Sequence, residues 1–311
     1  MRASFRLLTY ALDGKPVGAV WVNGRVYDLS QVVPNAPSVL AALEDWPAVS
    51  AALRTFAAGA ARLAAIPSRA LDGLALMAPV LYPNGIYCAG ANYHDHMAEM
   101  ARAFNLPPAP DPHEAGLSPW CFIKTPRNTL AGHGAVIKLP AWSKTVDWEI
   151  EVALVIGRTC KDVEEKDALD YVAGYSIAND LSARDHLRRQ NVKPNSGSPM
   201  EYDWVSHKNW DGSCPMGPWI VPREDIADPN NMALKLWVND TLMQDSSTSQ
   251  IIFNDAELIS FLSKRLTLYP GDIIITGTPA GVGTPRGIFL KPGDVVRLEI
   301  EGVGTLVNTM A

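Results

Sequence analysis

The sequence predicts an α+β fold in which strands predominate, with a small N-terminal α/β domain at residues 1–78 and a larger domain at residues 79–311. Three observations support this prediction. A hairpin signal and alanine-rich helical segments occupy the first part of the chain. From residue 79 onward, short strand-like segments alternate with glycine and proline turns, and helices are few. The chain has 311 residues, of which 47% are hydrophobic, so it is long enough to bury a large core without disulfide or metal staples.

The first elements are a β-hairpin and two helices. Residues 17–29 contain the pair Asn23-Gly24, which suits the type I′ turn of a two-residue hairpin. Ser38 is a suitable N-cap for one helix, and a second helix is predicted at 45–65, with a proline in its first turn. No cluster of catalytic residue types lies in this region. We therefore expect a packing or dimerisation unit.

The larger domain is predicted from period-two alternation and turn residues. Its predicted strands are 148–156, 234–238, 272–276 and 295–301, and its predicted helices are 94–104, 165–171 and 256–266. Two proline-containing stretches, 105–119 and 188–204, are predicted as long loops. Loops of this length are either lids and binding loops or solvent-exposed connections.

Composition and charge exclude several classes of function. The net charge is −6, from 27 basic and 33 acidic side chains without a basic stripe, so we expect no nucleic-acid partner. The four cysteines are scattered without a Cys-x-x-Cys pair, which argues against a zinc site or a disulfide scaffold and suits the cytoplasm. The longest charge-free run, 73–93, is interrupted by proline and glycine, and the N-terminus lacks the apolar segment of a signal peptide. We therefore expect no membrane span.

An acidic strand is the most informative segment. Alternation along a strand places Asp147, Glu149 and Glu151 on one face. That face is either solvated or occupied by a cation, and all-oxygen ligands favour Mg²⁺, Ca²⁺ or Mn²⁺ over zinc. Asp180 ends a later strand and is either a turn residue or a third ligand. A helix at 182–189 would direct Arg184 toward the same place.

The histidine segment suggests acid–base chemistry. On a helix His96 and Glu99 share a face, so that the carboxylate orients the imidazole and the imidazole can act as a general base on water. The alternative is a capped helix start with surface polar residues. Lys208, among aromatic and turn residues, is either an anion contact or solvated. The isolated histidines are interpreted as structural or surface residues: His113, His133, His186 and His207.

In their order and spacing these motifs resemble the fumarylacetoacetate hydrolase family, in its branch of acylpyruvate hydrolases and 2-hydroxyhepta-2,4-diene-1,7-dioate isomerases. The resemblance covers about residues 82–308. The motifs that carry it are Asn92-Tyr93-x-x-His96-x-x-Glu99, Phe122-Ile123-Lys124, Asp147-x-Glu149-x-Glu151, Asn179-Asp180 with Arg184, Lys208, Thr276-Gly277-Thr278 and Lys291-Pro292-Gly293-Asp294.

The resemblance implies a mixed β-roll domain, a homodimer and a divalent metal, Mg²⁺ with Mn²⁺ or Ca²⁺ as alternatives. It implies three metal ligands, which match Glu149, Glu151 and Asp180. It also implies that His96 and Glu99 form a catalytic dyad on a segment that orders over the substrate, and that three further residues contact the substrate, with the lysine also acting in catalysis: Arg184, Lys208 and Thr278.

The implied reaction is hydrolysis of a C–C bond in a 2,4-dioxo carboxylate resembling an acylpyruvate, by water that His96 activates and with an enolate stabilised at the metal. Alternatives on the same scaffold are an isomerase or tautomerase, an oxaloacetate-type decarboxylase and a sugar-acid hydrolase, and a remote alternative is a non-catalytic, metal-stabilised binding protein. Two departures limit the inference. Leu187 stands where many members have glutamine, and Asp147 is not a usual ligand, so it either lies behind the ligands or faces solvent.

Overall fold

A computed structural model describes residues 4–107, 110–194 and 197–311. The strands are β1 Arg6–Leu12, β2 Lys15–Val22, β3 Arg25–Asp28, β4 Arg69–Ala70, β5 Ala75–Met77, β6 Ile86–Ala89, β7 Cys121–Lys124, β8 Leu130–Ala131, β9 Val136–Ile137, β10 Val146–Asp147, β11 Ile150–Ile156, β12 Val172–Asn179, β13 Ser182–Ala183, β14 Cys214–Pro222, β15 Ala233–Val238, β16 Thr241–Ser247, β17 Ile273–Ile275, β18 Val295–Ile300 and β19 Gly304–Met310.

Helices are fewer than strands in these ranges. The α-helices are α1 Leu29–Val32, α2 Val39–Glu44, α3 Trp46–Ala58, α4 Ala60–Ala65, α5 His94–Ala103, α6 Pro126–Thr129, α7 Glu165–Ala168, α8 Trp204–Lys208 and α9 Asp255–Ser263. Single 3₁₀ turns lie at Leu169–Tyr171, Arg184–His186, Arg223–Asp225, Pro229–Asn231, Thr248–Gln250 and Thr284–Arg286. No helix in the described ranges has the length and apolar character needed to cross a membrane.

A 12-stranded mixed sheet forms the frame, in the order β4-β3-β2-β1-β14-β12-β11-β17-β6-β7, with β5 on β1 and β8 on β14. Strand β1 pairs antiparallel with β14, so main-chain hydrogen bonds cross the boundary predicted at residues 78 and 79. The division into two domains stays a prediction. The fold class is the predicted one, α+β with a predominance of strands.

A 5-stranded sheet, β16-β15-β18-β19-β9, packs near one face of the central strands. Alternate β11 side chains enter two different cores: Val152 and Leu154 pack with the 5-stranded sheet and α9, and Ala153 and Val155 pack with the N-terminal helices. The predicted apolar run at 153–156 is therefore buried on both faces. Because β11 is buried from end to end, its first residues deliver their side chains to the interior.

The N-terminal predictions are confirmed in part. The hairpin forms between β2 and β3, with Asn23 and Gly24 both at positive φ, and the Ser38 side chain caps α2. The single helix predicted at 45–65 is wrong. Gly59 ends α3 in a non-helical conformation and a separate α4 follows, in keeping with the poor helix propensity of glycine.

Two predictions near the acidic strand also need correction. The strand predicted at 148–156 is interrupted, since side chains replace the sheet hydrogen bonds there: Asn179 Oδ1 accepts from the Glu149 N–H and Gln244 Oε1 from the Ile150 N–H. The helix at 182–189 is absent, and β13 and a single 3₁₀ turn stand in its place. The predicted loops at 105–119 and 188–204 each include two residues that lie outside the described ranges, 108–109 and 195–196.

Helix α9 places a buried carboxyl group next to the central sheet. The Asn254 side chain caps the helix, and Asp255 at its first turn accepts a hydrogen bond of 3.1 Å from the Tyr175 hydroxyl. Burial raises the pKa of Asp255 from 3.8 to about 7, although the Tyr175 hydroxyl opposes the shift. The native protein therefore holds a proton that the unfolded chain releases at lower pH.

We expect the contribution of Asp255 to the unfolding free energy of the wild type to fall as pH rises between about 4 and 7, by at most about 1.4 kcal/mol per pH unit. The sign follows because a raised pKa stabilises the fold below the unfolded value and loses that contribution as pH rises through the folded value. Asp255→Asn should therefore gain stability relative to the wild type from pH 5 to pH 8 in urea unfolding. Asp240→Asn, in an exposed turn, is the control. A difference between wild type and Asp255→Asn that does not vary with pH would contradict the assignment.

Candidate active site

A cavity of about 270 Å³ lies where β11, β12, α5 and α8 meet. Every predicted site residue except Glu99 lines it: His96, Glu149, Glu151, Asp180, Arg184, Lys208 and Thr278. The topology explains this convergence, because Ile150 at the start of β11 pairs with Asn179 at the end of β12. Residues beside that pair are thereby brought together from distant parts of the sequence.

Three buried carboxylates form the polar end of the cavity. Glu149, Glu151 and Asp180 each offer an oxygen, and these oxygens lie within 4.8 Å of one another. These residues are at most 5% exposed, so this face is not solvated. Within the described ranges, no other cluster of three or more His, Cys, Asp or Glu residues has this geometry.

Three cations surround two of these carboxylates. Lys208 Nζ lies 2.7 Å from Glu149 Oε2 and 2.5 Å from Asp180 Oδ2. Lys124 Nζ lies 2.6 Å from Asp180 Oδ1, and Arg184 Nη2 lies 2.5 Å from Glu149 Oε1. Burial alone would raise the pKa of Glu149, but Lys208 and Arg184 outweigh it and lower that pKa to about 2.

Glu151 is different, since no ion pair to it forms in the described part of the chain. Its Oε2 accepts a 2.6 Å hydrogen bond from the Gly277 N–H, in a turn where Gly277 has φ of +93°. Burial and the charges of Asp180 and Glu149 raise the pKa of Glu151 well above its ordinary value. The charge of Lys208 opposes this shift but does not outweigh it, so Glu151 lacks a cation of its own in the described residues. An all-oxygen donor set with one uncompensated carboxylate fits a hard divalent cation.

Asp147 lies behind the cluster and is fully buried, so the alternative that it faces solvent is wrong. Its Oδ2 is 2.9 Å from Arg184 Nε, and its Oδ1 accepts a 2.6 Å hydrogen bond from the Gly283 N–H. Arg184 is held by Asp147 on one side and Glu149 on the other. Asp147 therefore orients the guanidinium rather than adding a ligand.

Helix α5 carries His96 to the cavity as predicted. His96 Nδ1 lies 3.9 Å from Glu99 Oε2, beyond hydrogen-bond distance, and this buried nitrogen has no hydrogen-bond partner. Glu99 accepts a 2.8 Å hydrogen bond from the Gly281 N–H, and Asp95 one of 2.6 Å from the Ser246 hydroxyl. The two carboxylates hold α5 against the neighbouring loop and strand, so the imidazole is placed beside the acid cluster.

Thr278 also lines the cavity, but its hydroxyl is already engaged. It donates to the Ile150 carbonyl and accepts from Gln244 Nε2, both at 2.9 Å.

Gln244 was not predicted to belong to the site, because a single glutamine in a polar strand gives no signal in the sequence. Lys124 appeared only as part of a motif, although it is buried at 1% exposure. Among the isolated histidines, His207 lines the cavity, and burial lowers its pKa to about 2.

Fold and site together define a class: an α+β enzyme whose cavity combines a buried carboxylate cluster, basic side chains and a histidine. Residues 85–311 match the family model described as the C-terminal domain of fumarylacetoacetate (FAA) hydrolase. The chain belongs to the fumarylacetoacetate hydrolase family, as the sequence motifs predicted. Proteins similar to it include hydrolases, isomerases and tautomerases, and the chain is an enzyme of this family.

Several relatives extend over most of the chain. The human oxaloacetate tautomerase FAHD2B, mitochondrial, is 37% identical over 289 residues, 92% of this chain and 84% of its own length. Maleylpyruvate hydrolase from Sphingobium sp. SYK-6, solved with manganese(II) and pyruvate, has a TM-score of 0.75 at 27% identity and covers 98% of both chains. The 5-carboxymethyl-2-hydroxymuconate delta-isomerase from Mycobacterium smegmatis has a TM-score of 0.71 at 29% identity and covers 98% of this chain and 99% of its own.

Replacing the buried Lys124 should destabilise the protein strongly. Lys124→Met removes the cation that pairs with Asp180 Oδ1, and loss of one partner of a buried ion pair costs about 3–5 kcal/mol. Urea unfolding without divalent cations measures the loss. The control is Lys264→Met, whose exposed pair with Glu164 at 3.3 Å should matter by about 1 kcal/mol or less. Equal stabilities for the two variants would argue against the described charge balance.

Proposed function

We propose that the protein is a divalent-metal-dependent enzyme acting on 2-oxo carboxylates, and that its leading reaction is hydrolysis of a C–C bond in a 2,4-dioxo acid resembling an acylpyruvate. One observation carries the proposal: His96 opens onto the same small cavity as the three buried carboxylates. The cavity, at about 270 Å³, is of a size for a small acid rather than a polymer.

Glu149, Glu151 and Asp180 would hold the metal, which we propose to be Mg²⁺, with Mn²⁺ or Ca²⁺ as alternatives. Such an ion supplies Lewis-acid polarisation of the substrate oxygens and charge stabilisation. The uncompensated Glu151 carboxylate supports this assignment. The manganese in the Sphingobium maleylpyruvate hydrolase is in keeping with it.

Arg184 and Lys208 would bind the anionic head of the substrate. Arg184 donates through Nε and Nη2 to Asp147 and Glu149, so its Nη1 is left for a substrate oxygen. Lys208 directs two of its three N–H groups to carboxylates and keeps one. Thr278 can offer the substrate only an acceptor, because its hydroxyl proton goes to Ile150.

His96 would act as the general base. It takes a proton from water, the resulting hydroxide attacks the distal carbonyl carbon, and the C–C bond to the 2-oxo acid breaks. The bonding electron pair leaves on the 2-oxo acid as an enolate, which takes the proton back at carbon from the imidazolium. Glu99, 3.9 Å from His96 Nδ1, stabilises the protonated ring. The products are a carboxylic acid and the shortened 2-oxo acid.

Keto–enol tautomerisation of oxaloacetate is the second candidate. It is favoured by the relatives that carry this name, including the human protein at 37% identity over 92% of this chain. The same groups suffice, since His96 would move a proton between carbon and oxygen without attack by water. Decarboxylation of oxaloacetate and hydrolysis of a sugar acid remain alternatives that no residue of the cavity singles out.

Assembly and location are also proposals. We infer a homodimer from the family resemblance. A cytoplasmic location suits the four free cysteines, whereas the names of several relatives place those proteins in mitochondria. Light scattering tests the first proposal, and localisation of the tagged protein in its own cell tests the second.

Glu151→Gln should abolish divalent-metal binding with little change in packing. The substitution keeps the shape of the side chain and removes the one carboxylate charge that lacks an ion pair in the described chain. Titration calorimetry with Mg²⁺ and with Mn²⁺ measures the loss, and circular dichroism checks the fold. Glu165→Gln, on an exposed helix, should bind as the wild type does. Full metal occupancy in Glu151→Gln would sink the metal assignment.

His96→Ala should lower hydrolysis of an acylpyruvate by about 10²–10⁴-fold, the usual contribution of a general base. Metal binding should persist, because His96 is not one of the three carboxylate ligands. Release of the 2-oxo acid and the mass of both products measure hydrolysis, and loss of the enol absorbance of oxaloacetate measures tautomerisation. Undiminished hydrolysis in His96→Ala would remove the proposed base. Tautomerisation without any cleavage would replace the first candidate by the second.

A further inference from the structure

We propose that the cavity selects 2-oxo acids whose far end is uncharged and apolar, so that the preferred substrate carries a single carboxylate with an alkyl or aryl tail. This inference rests on the proposed function, because it takes the acid head to bind at the carboxylate cluster. It adds the chemical class of the tail, which the head chemistry does not determine.

One part of the cavity lining is apolar. Six side chains form it, and we call them the apolar wall: Met97, Met100, Trp120, Phe122, Leu187 and Trp204. They come from α5, from β7 and the residue before it, from α8, and from the residue after the 3₁₀ turn Arg184–His186. A surface of this kind gains free energy from burying hydrocarbon and gives no hydrogen bonds to a carboxylate.

The aromatic part of the wall is held in place by contacts within itself. The Trp204 ring lies 4.8 Å from that of Trp120, edge to face, and 5.4 Å from that of Phe122, stacked. Trp120 packs directly on Gly90, where a Cβ atom would lie 1.6 Å from the indole. Trp120 is also 47% exposed, which places it at the mouth of the cavity. The tail would therefore run between fixed rings toward the opening.

The cations of the cavity are already committed. Among the described lining residues, the permanently positive ones are Arg184 and Lys208, and ion pairs of 2.5–2.7 Å direct both to the acid cluster. Their remaining donors are needed for the head. His207 bonds to the Ala183 carbonyl, and burial keeps it neutral by lowering its pKa. Lys208 Nζ lies 5.0 Å from the centre of the Phe122 ring, but its charge is paired with Glu149 and Asp180. A second substrate carboxylate against the wall would therefore lose its hydration without gaining an unpaired cation.

Leu187 marks the boundary between the two ends. It directly follows the 3₁₀ turn Arg184–His186, so one turn of chain presents Arg184 to the acid cluster and Leu187 to the apolar wall. Substitution at this position therefore changes the tail end without removing a group that binds the head. Leu187 is half-buried, which leaves room for a longer side chain to reach solvent.

The test uses the Mg²⁺-loaded wild type and pairs of acids matched in chain length. For turnover the pair is 2,4-dioxoheptanoate and 2,4-dioxoheptanedioate, which differ in the terminal methyl or carboxylate group. We expect kcat/KM to favour the monoacid by at least about tenfold, the scale on which pockets discriminate small groups. For binding without turnover the pair is 2-oxohexanoate and 2-oxohexanedioate, and the monoacid should raise Tm at lower concentration.

Leu187→Arg should reverse the preference by giving the tail end a cation, so that kcat/KM for the diacid rises while that for the monoacid falls. Leu12→Arg, at an exposed leucine outside the cavity, is the matched control and should keep the wild-type ratio. Melting curves identify any variant that fails to fold. The comparison of the matched acids on the wild-type enzyme tests the proposal even in that case.

The outcomes separate the two levels of the inference. Turnover or binding of both acids of a pair with equal efficiency, or a preference for the diacid, overturns the apolar selection and leaves the proposed function intact. Absence of any turnover, together with absence of any Tm shift by the 2-oxo acids, overturns the proposed function and this inference with it. A monoacid preference that Leu187→Arg reverses supports both.

Discussion

The structure depends on the burial of three carboxylates within 4.8 Å of one another. Like charges at that distance repel, and each has lost its hydration, so the arrangement is stable only with compensating charge. Lys208, Lys124 and Arg184 supply it to Glu149 and Asp180, and Glu151 remains without an ion pair in the described residues. The charges of the site are therefore compensated except at the Glu151 carboxylate, which is the place where an added cation lowers the free energy.

The fold meets this constraint at the start of β11. Antiparallel pairing with β12 brings Glu149 and Glu151 beside Asp180, and the strand is interrupted there so that two side-chain amides, from Asn179 and Gln244, take over backbone N–H groups. A regular strand would have used those groups in the sheet. These side-chain oxygens keep the N–H groups of Glu149 and Ile150 hydrogen-bonded while both glutamates turn into the interior.

Local patterns were sufficient to predict the hairpin at Asn23-Gly24 and helix α5, whereas the predicted site residues that converge on the cavity were identified only by the resemblance of the ordered motifs to the family. The break of helix 45–65 lies at Gly59, a poor helix former within an alanine-rich run. The turn at Arg184 depends on partners far along the chain, Asp147 and Glu149, which a short sequence window does not contain. Lys124 and Gln244 could not be assigned from the sequence, since each is a single polar residue whose role arises only from partners far along the chain. The ordered motifs predicted which carboxylates meet, but their charge balance required the distances.

The same constraint divides the cavity into two ends. Arg184 and Lys208 form ion pairs with the acid cluster and so do not pair with groups elsewhere in the cavity. Aromatic and aliphatic side chains line the other part. Arg184 shows the mechanism, because Asp147 and Glu149 fix its guanidinium in one direction and Leu187 begins the apolar wall three residues later. Polarity along the cavity is thus a consequence of holding three carboxylates together. A protein with the same metal ligands can therefore vary the apolar wall only at positions whose side chains make no ion pair with the acid cluster. Leu187 is such a position.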